Sequence, residues 1–385
     1  MRIGIVTIDF PTVSETFIYV KVQQLAQRGY TVIVFCSNVN KQLFDSYFTG
    51  TKNVQVEVFN RKNIIRYVLM HPFTIINAVL RKQGIKKFII DKSVTAHIKA
   101  HKPDILHIEF SGLGANYIDI LKNLPAKTVV SCRGSGEKVK LLVSDERKKD
   151  MQRLFELVDA IHCVSGDMKQ TILPYCSDAS KIFINYPCVD TSFFNDTATR
   201  QKNDIIHILS VGRFTFQKGY LIGLLAIKKL SESFTGFVWT IVGSGPQHDE
   251  IVFHINQLQL QQHVVLAGTK SRSEMAELYK KSDIFFLTSV YEGVANAVLE
   301  AMSTALPVVA TRSGGMEEVI TDTETGFLAD VYDSDTLAQH LLVLAEDEQK
   351  RKATGIKARQ RILENFTIEK QTAIFETVYR NLVKH

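Results

Sequence analysis

Short runs of Val, Ile and other apolar residues recur along the chain, each followed by a stretch with helical spacing. In the first half they are RIGIVTI, TVIVFCS, PDILHIEF, KTVVSCRG and DAIHCVS. In the second half they are IIHILSVGR, FVWTIVGSG, HVVLAG, DIFFLTS and LPVVAT. A strand that is apolar throughout is buried on both faces, and such strands alternating with helices build parallel sheets covered on both sides. Two series of this kind predict two doubly wound α/β domains. Polar residues from Asn195 to Asp204 separate the series, which places the boundary near residue 200, with a first domain over 1–200 and a second over 201–365. The closing segment, FTIEKQTAIFETVYRNLVKH (366–385), reads as an amphipathic helix that packs back on the first domain.

Composition agrees with this division. A chain of 385 residues suits two domains, and 45% hydrophobic with 22% charged residues excludes disorder. Charge is uneven: residues 1–200 hold 27 Lys/Arg against 18 Asp/Glu, a balance of +9, and the remainder 19 against 22, a balance of −3. Within 61–102, ten Lys/Arg face a single acid, Asp91. This basic, apolar-laced stretch reads either as a solvated helical face or as a surface for an anionic membrane. No aromatic platform or finger spacing accompanies it, so nucleic acid is not expected as a partner. The five cysteines form no CxxC pair and read as reduced thiols. The N-terminal MRIGIVTIDF reads as a strand, and no run approaches the roughly 18 apolar residues of a membrane span. The expectation is a cytoplasmic protein, peripheral at most on the inner face of the cell membrane.

In an open parallel sheet, ligands bind on the loops beyond the carboxyl ends of the strands. Gly212, Arg213, Lys218 and Gly219 follow the strand IIHILSV; two cations with little bulk between them suit a diphosphate. Gly243 and Gly245 follow FVWTIV, where a dinucleotide fingerprint would need a third Gly or Ala near His248. After DIFFLTS comes VYEGVAN and then a helix; the backbone over Gly293, Val294, Ala295 and Asn296 would present N–H groups to a phosphate. Glu292 precedes that helix and Glu300 lies about one turn inside it, where a carboxylate can accept from vicinal hydroxyls such as those of a ribose. Gly314 and Gly315 form a further strand-to-helix loop, with Glu317 and Glu318 in the following turn, either as ligands or as partners of the helix dipole. The Asp-x-Asp of Asp333 and Asp335 precedes a helix and reads as capping, so no metal site is assigned.

Taken in order, these motifs resemble the retaining nucleotide-sugar glycosyltransferases of family 4. Its E-x7-E pattern is matched by Glu292 and Glu300, its G-R-x(n)-K-G by Gly212, Arg213, Lys218 and Gly219, and its Gly-Gly-x-x-Glu by Gly314, Gly315 and Glu318. The resemblance implies a GT-B fold, in which two Rossmann-like domains face each other across a cleft. It implies a UDP- or GDP-sugar donor with no cofactor required. Arg213 and Lys218 would then hold the diphosphate, Glu300 the ribose and Glu292 the transferred sugar, so that Glu292, Arg213, Lys218 and His107 are the catalytic candidates. The acceptor would be a saccharide or a lipid-linked oligosaccharide.

The first half departs from the commonest family form. FPTVSETF stands where a Gly-Gly loop is usual, and resembles bacterial exopolysaccharide enzymes of the colanic-acid type. Ser14, with Glu15 and Thr16, reads as a helix start on the acceptor side. His107 and Glu109 end one strand and Arg133 another, also facing the acceptor, each with a structural role as an equal alternative. Two other classes stay open: a non-catalytic partner subunit that keeps the donor fold, and an NAD-dependent dehydrogenase, which the incomplete glycine fingerprint disfavours.

Overall fold

The computed structural model describes residues 1–12, 15–73, 84–196 and 205–384. They form two compact units: residues 1–164, 168–185 and 372–385 in the first, and 165–167 with 186–371 in the second. The expected boundary near residue 200 falls in 197–204, outside the described residues, while the contacts divide the chain between Asn185 and Tyr186. The helix Ile368–Lys384 gives all but its first residues to the first unit.

The first unit holds strands β1 (Arg2–Val6), β2 (Asp9–Phe10), β3 (Thr31–Cys36), β4 (Asn38–Val39), β5 (Val54–Val58), β6 (Ile105–Ile108), β7 (Lys127–Cys132), β8 (Ala160–Cys163) and β9 (Ile182–Ile184). Seven form one parallel sheet in the order β5-β3-β1-β6-β7-β8-β9, and β2 pairs with β4. The second unit holds β10 (Ile206–Val211), β11 (Phe237–Val242), β12 (Val264–Leu266), β13 (Ile284–Leu287), β14 (Val308–Thr311) and β15 (Phe327–Ala329), parallel in the order β12-β11-β10-β13-β14-β15.

The central strands feed a core on both faces, which is why their sequences are apolar throughout. Ile206 and Ile208 of β10 pack in one core and Leu209 in the other; on β13, Ile284 and Phe286 oppose Phe285 and Leu287. The first sheet repeats this, with Ile3 and Ile5 of β1 on one face and Val6 on the other. The single buried tryptophan, Trp239, donates its indole N–H to Ser210 Oγ at 2.8 Å, and Ser210 donates to the Phe286 carbonyl, so the polar atoms of this core are satisfied. Phe375 and Tyr379 of the C-terminal helix are buried in the core that backs β1 and β3.

In both sheets the chain lays strands outward in one direction and then returns to build in the other. The order reverses between β1 and β6, and again between β10 and β13. At such a reversal the two loops leaving adjacent strands diverge, leaving a crevice at the carboxyl edge. These two crevices position the chemistry of each unit.

Candidate functional site

Lys218 and Glu292 meet in the crevice between β10 and β13, with Lys218 Nζ 2.5 Å from Glu292 Oε1. The loop after β10 ends in a 3-10 turn, Phe216–Lys218, and the loop after β13 carries Glu292; strand order brings them together across 74 residues. The loops are tied by backbone: Val290 N–H donates to Gln217 O at 2.7 Å and Thr288 Oγ1 to Lys218 O at 2.9 Å. Ser289 donates to Glu292 Oε1 at 2.7 Å, and the Gln217 amide donates to Tyr291 O and Glu292 Oε2 at 3.2 and 3.4 Å. Glu292 is thus a buried carboxylate held by three donors from two loops. The Lys218 stem runs over Gly212, where a side chain would crowd it. Arg213 is exposed at the rim and has no ion-pair partner among the described residues.

The helix Asn296–Ser303 begins directly after Gly293 and Val294, with Ala295 at the N-cap position and no side-chain cap. Its leading N–H groups and the positive end of its dipole form a local anion-binding feature. Gly314 holds this corner together: its φ of 62° favours glycine, a Cβ there would run into the Glu292 carbonyl, and Gly315 N–H donates to Gly293 O at 2.9 Å. Glu300 sits one turn into the helix and accepts from the fully buried Tyr279 hydroxyl at 2.9 Å. It is partly exposed, yet the atoms packed around it push its carboxyl up to about 7, against the Tyr279 hydrogen bond and the Arg272 guanidinium, which lower it. Arg272 itself lies 3.0 Å from Asp190 and over the Phe193 ring.

Gly243 and Gly245 lie against the loop after β10. A Cβ on Gly243 would strike the Gly212 carbonyl and one on Gly245 the Phe214 backbone, so both let the loop after β11 approach the loop after β10. Glu318 is also occupied: it accepts from the Gly166 and Asp167 N–H groups at 2.7 and 2.9 Å and from Tyr186 at 2.8 Å. Glu317 pairs with Arg312. Asp333 caps its helix by accepting from Thr336 N–H at 2.9 Å, as its position predicts.

The crevice of the first unit is filled by its own charges. Glu109 is fully buried between Lys21, with which it forms an ion pair, and Arg133, whose Nη2 is 2.7 Å away. Burial raises the Glu109 carboxyl, but the two cations outweigh it and hold it below the usual range, while burial brings Lys21 down to about 8. Arg133 also lies 4.1 Å over the Phe17 ring. His107 is a correction to the expected acceptor-side group: it lies within β6 at 0% exposure. Its Nε2–H faces Ser131 Oγ at 2.7 Å, Ser131 faces His162 Nδ1 at 2.8 Å, and His162 Nε2–H faces the Asn185 carbonyl at 2.8 Å. Tyr379 donates to His107 Nδ1 at 2.5 Å. This ordered chain fixes both rings neutral, in line with burial holding both well below the usual histidine range. His107 is therefore a packed hydrogen-bond link, unable to reach a substrate in this arrangement. The helix that Ser14 was expected to cap begins at Thr16 with Glu15 at the cap position, and Ser14 lies outside the described residues. Burial, with Asp9 and Glu109 nearby, raises the Glu15 carboxyl.

Sequence reading missed Lys21, Gln217, Tyr279 and Ser289. Lys21 had a signal, because it shares the buried helix face of Ile18, Val22 and Leu25. Tyr279 and Ser289 had none, since what matters is the carboxylate each reaches.

Residues 14–193 match the family model described as Glycosyltransferase Family 4, and residues 193–361 match Glycosyl transferases group 1. The chain is 27% identical to the amylovoran biosynthesis glycosyltransferase AmsK of Erwinia amylovora, over 95% of this chain and 96% of that protein. It is 28% identical to the putative colanic acid biosynthesis glycosyltransferase WcaL of Escherichia coli, over 56% of this chain and 55% of that one. Among solved structures, a glycosyltransferase from Rickettsia africae superposes with a TM-score of 0.79 at 21% identity, covering 100% of this chain and 99% of that chain. Anabaena HepE in complex with UDP and glucose superposes at 0.78 with 17% identity, covering 98% and 99%. At these identities the superpositions establish the fold, GT-B.

The Glu300 environment yields a direct test. Tyr279→Phe removes the hydroxyl that favours the charged form of Glu300, so the Glu300 titration midpoint is expected to rise further above about 7. Carbon-13 NMR of side-chain-labelled glutamate reads that midpoint; a lower or unchanged value contradicts the assignment.

Proposed function

This chain belongs to glycosyltransferase family 4, and from that premise we propose that it moves a sugar from a nucleoside-diphosphate donor to an acceptor hydroxyl with retention of anomeric configuration. The observation that carries the reading is the Lys218–Glu292 pair at the β10/β13 strand-order reversal, beside an uncapped helix start. A nucleoside-diphosphate sugar presents groups that match these residues: two phosphates for Arg213, Lys218 and the N–H groups around Val294 to Asn296, sugar hydroxyls for Glu292, and a ribose diol for Glu300.

In the proposed reaction the bond from the anomeric carbon to the diphosphate oxygen breaks and its electron pair goes to the phosphate. A new bond forms to the acceptor oxygen on the same face, and the acceptor proton passes to a leaving phosphate oxygen. Charge on the diphosphate grows through the transition state, so fixed cations and helix-start N–H groups act most strongly there. Lys218 has three protons and can keep one on Glu292 while offering others to phosphate. Donor binding favours an ionised Glu300. Affinity is therefore expected to increase as pH rises through about 7 and to weaken below it.

The relatives named for amylovoran and colanic acid synthesis support an acceptor in bacterial cell-surface polysaccharide assembly, and the UDP bound to HepE supports a nucleoside-diphosphate donor, UDP- or GDP-linked. A lipid-linked acceptor would be reached at a membrane. Ile65, Leu69, Met70 and Phe73 are exposed beside Lys62 and Arg66 in and just after the helix Arg61–Met70, a surface suited to anionic lipid; residues 74–83 lie outside the described ones.

Thermal unfolding with UDP, GDP and NAD tests the donor site. One diphosphate at 100 times its dissociation constant is expected to stabilise by about 2.7 kcal/mol. The shift should vanish in Arg213→Ala/Lys218→Ala. Stabilisation by NAD alone would revive the dehydrogenase reading, and no stabilisation by any of them would bring forward a non-catalytic subunit. For the membrane surface, Leu69→Asp/Met70→Asp is expected to release the protein from phosphatidylglycerol vesicles in co-sedimentation; unchanged sedimentation contradicts it.

A further inference from the structure

Outside both crevices, Glu57, His97 and His101 bring three metal-ligand side chains together in the first unit. Their donor atoms all lie within 4.8 Å of one another. Glu57 stands on β5, the edge strand of the sheet, and the two histidines are one turn apart on the helix Ile85–His101. His97 Nε2 lies 3.1 Å from Glu57 Oε2, and His101 Nε2 lies 3.1 Å from Glu57 Oε1. The side chains are 20–30% exposed, open enough for an ion to enter.

The hydrogen-bond stereochemistry at His101 is unusual. Its Nδ1 faces the His97 carbonyl at 2.9 Å and its Nε2 faces the Glu57 carboxylate. Both partners only accept, whereas an imidazole with one proton can donate from only one nitrogen. At the second contact nitrogen and carboxylate oxygen stand face to face, an arrangement that a metal ion between them satisfies. The Nδ1–H to carbonyl bond is the outer contact that fixes a ligating histidine with its Nε2 lone pair outward. Phe35 packs edge-on against both rings, at 6.3 and 5.6 Å, and Phe59 against His97 at 5.6 Å, so the donors are oriented before any ion arrives.

We propose that Glu57, His97 and His101 bind one divalent transition-metal ion of the zinc class, clamping edge strand β5 to the helix Ile85–His101. Ligands about 2.0–2.1 Å from zinc in a tetrahedron stand about 3.3 Å apart; the three donor atoms here lie within 4.8 Å of one another, so the side chains would draw in slightly around the ion. Two imidazoles with one carboxylate suit zinc, cobalt or nickel and disfavour calcium and magnesium, which take oxygen ligands. A fourth position remains for water. The role is structural, because the site joins an edge strand to its own neighbouring helix and contains none of the residues assigned to the donor.

The test titrates the full chain with cobalt(II) alone. A Cys176→Ser/Cys188→Ser background removes the two partly exposed thiols as competing ligands. One equivalent is expected to produce a visible d–d band that zinc(II) displaces, and zinc(II) should raise the melting temperature. Both effects should be lost in His97→Ala/His101→Ala with the circular dichroism spectrum retained. Glu57→Gln, which keeps the hydrogen bond and removes the anionic ligand, should weaken binding by more than the roughly 10–100-fold that loss of an outer-shell partner costs. No band at several equivalents, or a band undiminished in the double-histidine variant, overturns the site.

Discussion

Lys218 and Glu292 stand 2.5 Å apart at the point where the strand order of the second sheet reverses, and the geometry of that crevice follows from the pair. Neither loop would hold its charge in place alone. The lysine stem is laid over Gly212, and the carboxylate is fixed by Ser289 and Gln217. Gly314 lets the next loop close against the Glu292 carbonyl, which sets the entry of the Asn296–Ser303 helix. The two charges satisfy each other; on the proposed reading a diphosphate and a sugar would each take one side of the pair, with both side chains already held in place by their loops.

The first sheet reverses in the same way, and its crevice is used differently. There Lys21 and Arg133 neutralise the buried Glu109, and His107, Ser131, His162 and Tyr379 form an oriented chain beneath it. Removing one member of a buried ion pair leaves a charge without compensation, which is far costlier than replacing the pair by apolar groups. This crevice is thus committed to its own charge balance, with Arg133 bridging the Glu109 carboxylate and the Phe17 ring. One topology supports two different uses because topology fixes only where the loops diverge, and side chains decide what fills the gap.

Much of this was readable from residues. Strands buried on both faces are apolar throughout, so β1, β3, β6, β10, β11 and β13 stood out, and Glu292, Glu300, Arg213 and Lys218 announced themselves by motif. Of the four edge strands only β12, in HVVLAG, was read. β5 reads VQVEV, alternating because only one side packs, and β9 and β15 are three residues each without a comparable apolar run followed by glycine. For His107 the structural alternative holds, and the reason was out of reach of the sequence: the C-terminal helix places Tyr379 against its ring, a contact 272 residues away. At Gly243 and Gly245 the sequence told only that something approaches the backbone closely, because glycines that admit a ligand and glycines that admit a neighbouring loop look alike. The Glu57, His97 and His101 cluster was invisible, since strand and helix meet only in the fold.

The central claim is that the Lys218–Glu292 crevice receives the diphosphate of a sugar donor. The most direct measurement is a crystal structure with a nucleoside diphosphate bound. The account predicts phosphate oxygens within hydrogen-bond distance of Lys218 Nζ, Arg213 and the N–H groups around Val294 to Asn296, with the ribose hydroxyls on Glu300. A diphosphate bound away from these groups, with the Lys218–Glu292 contact undisturbed and Glu300 unengaged, would contradict it.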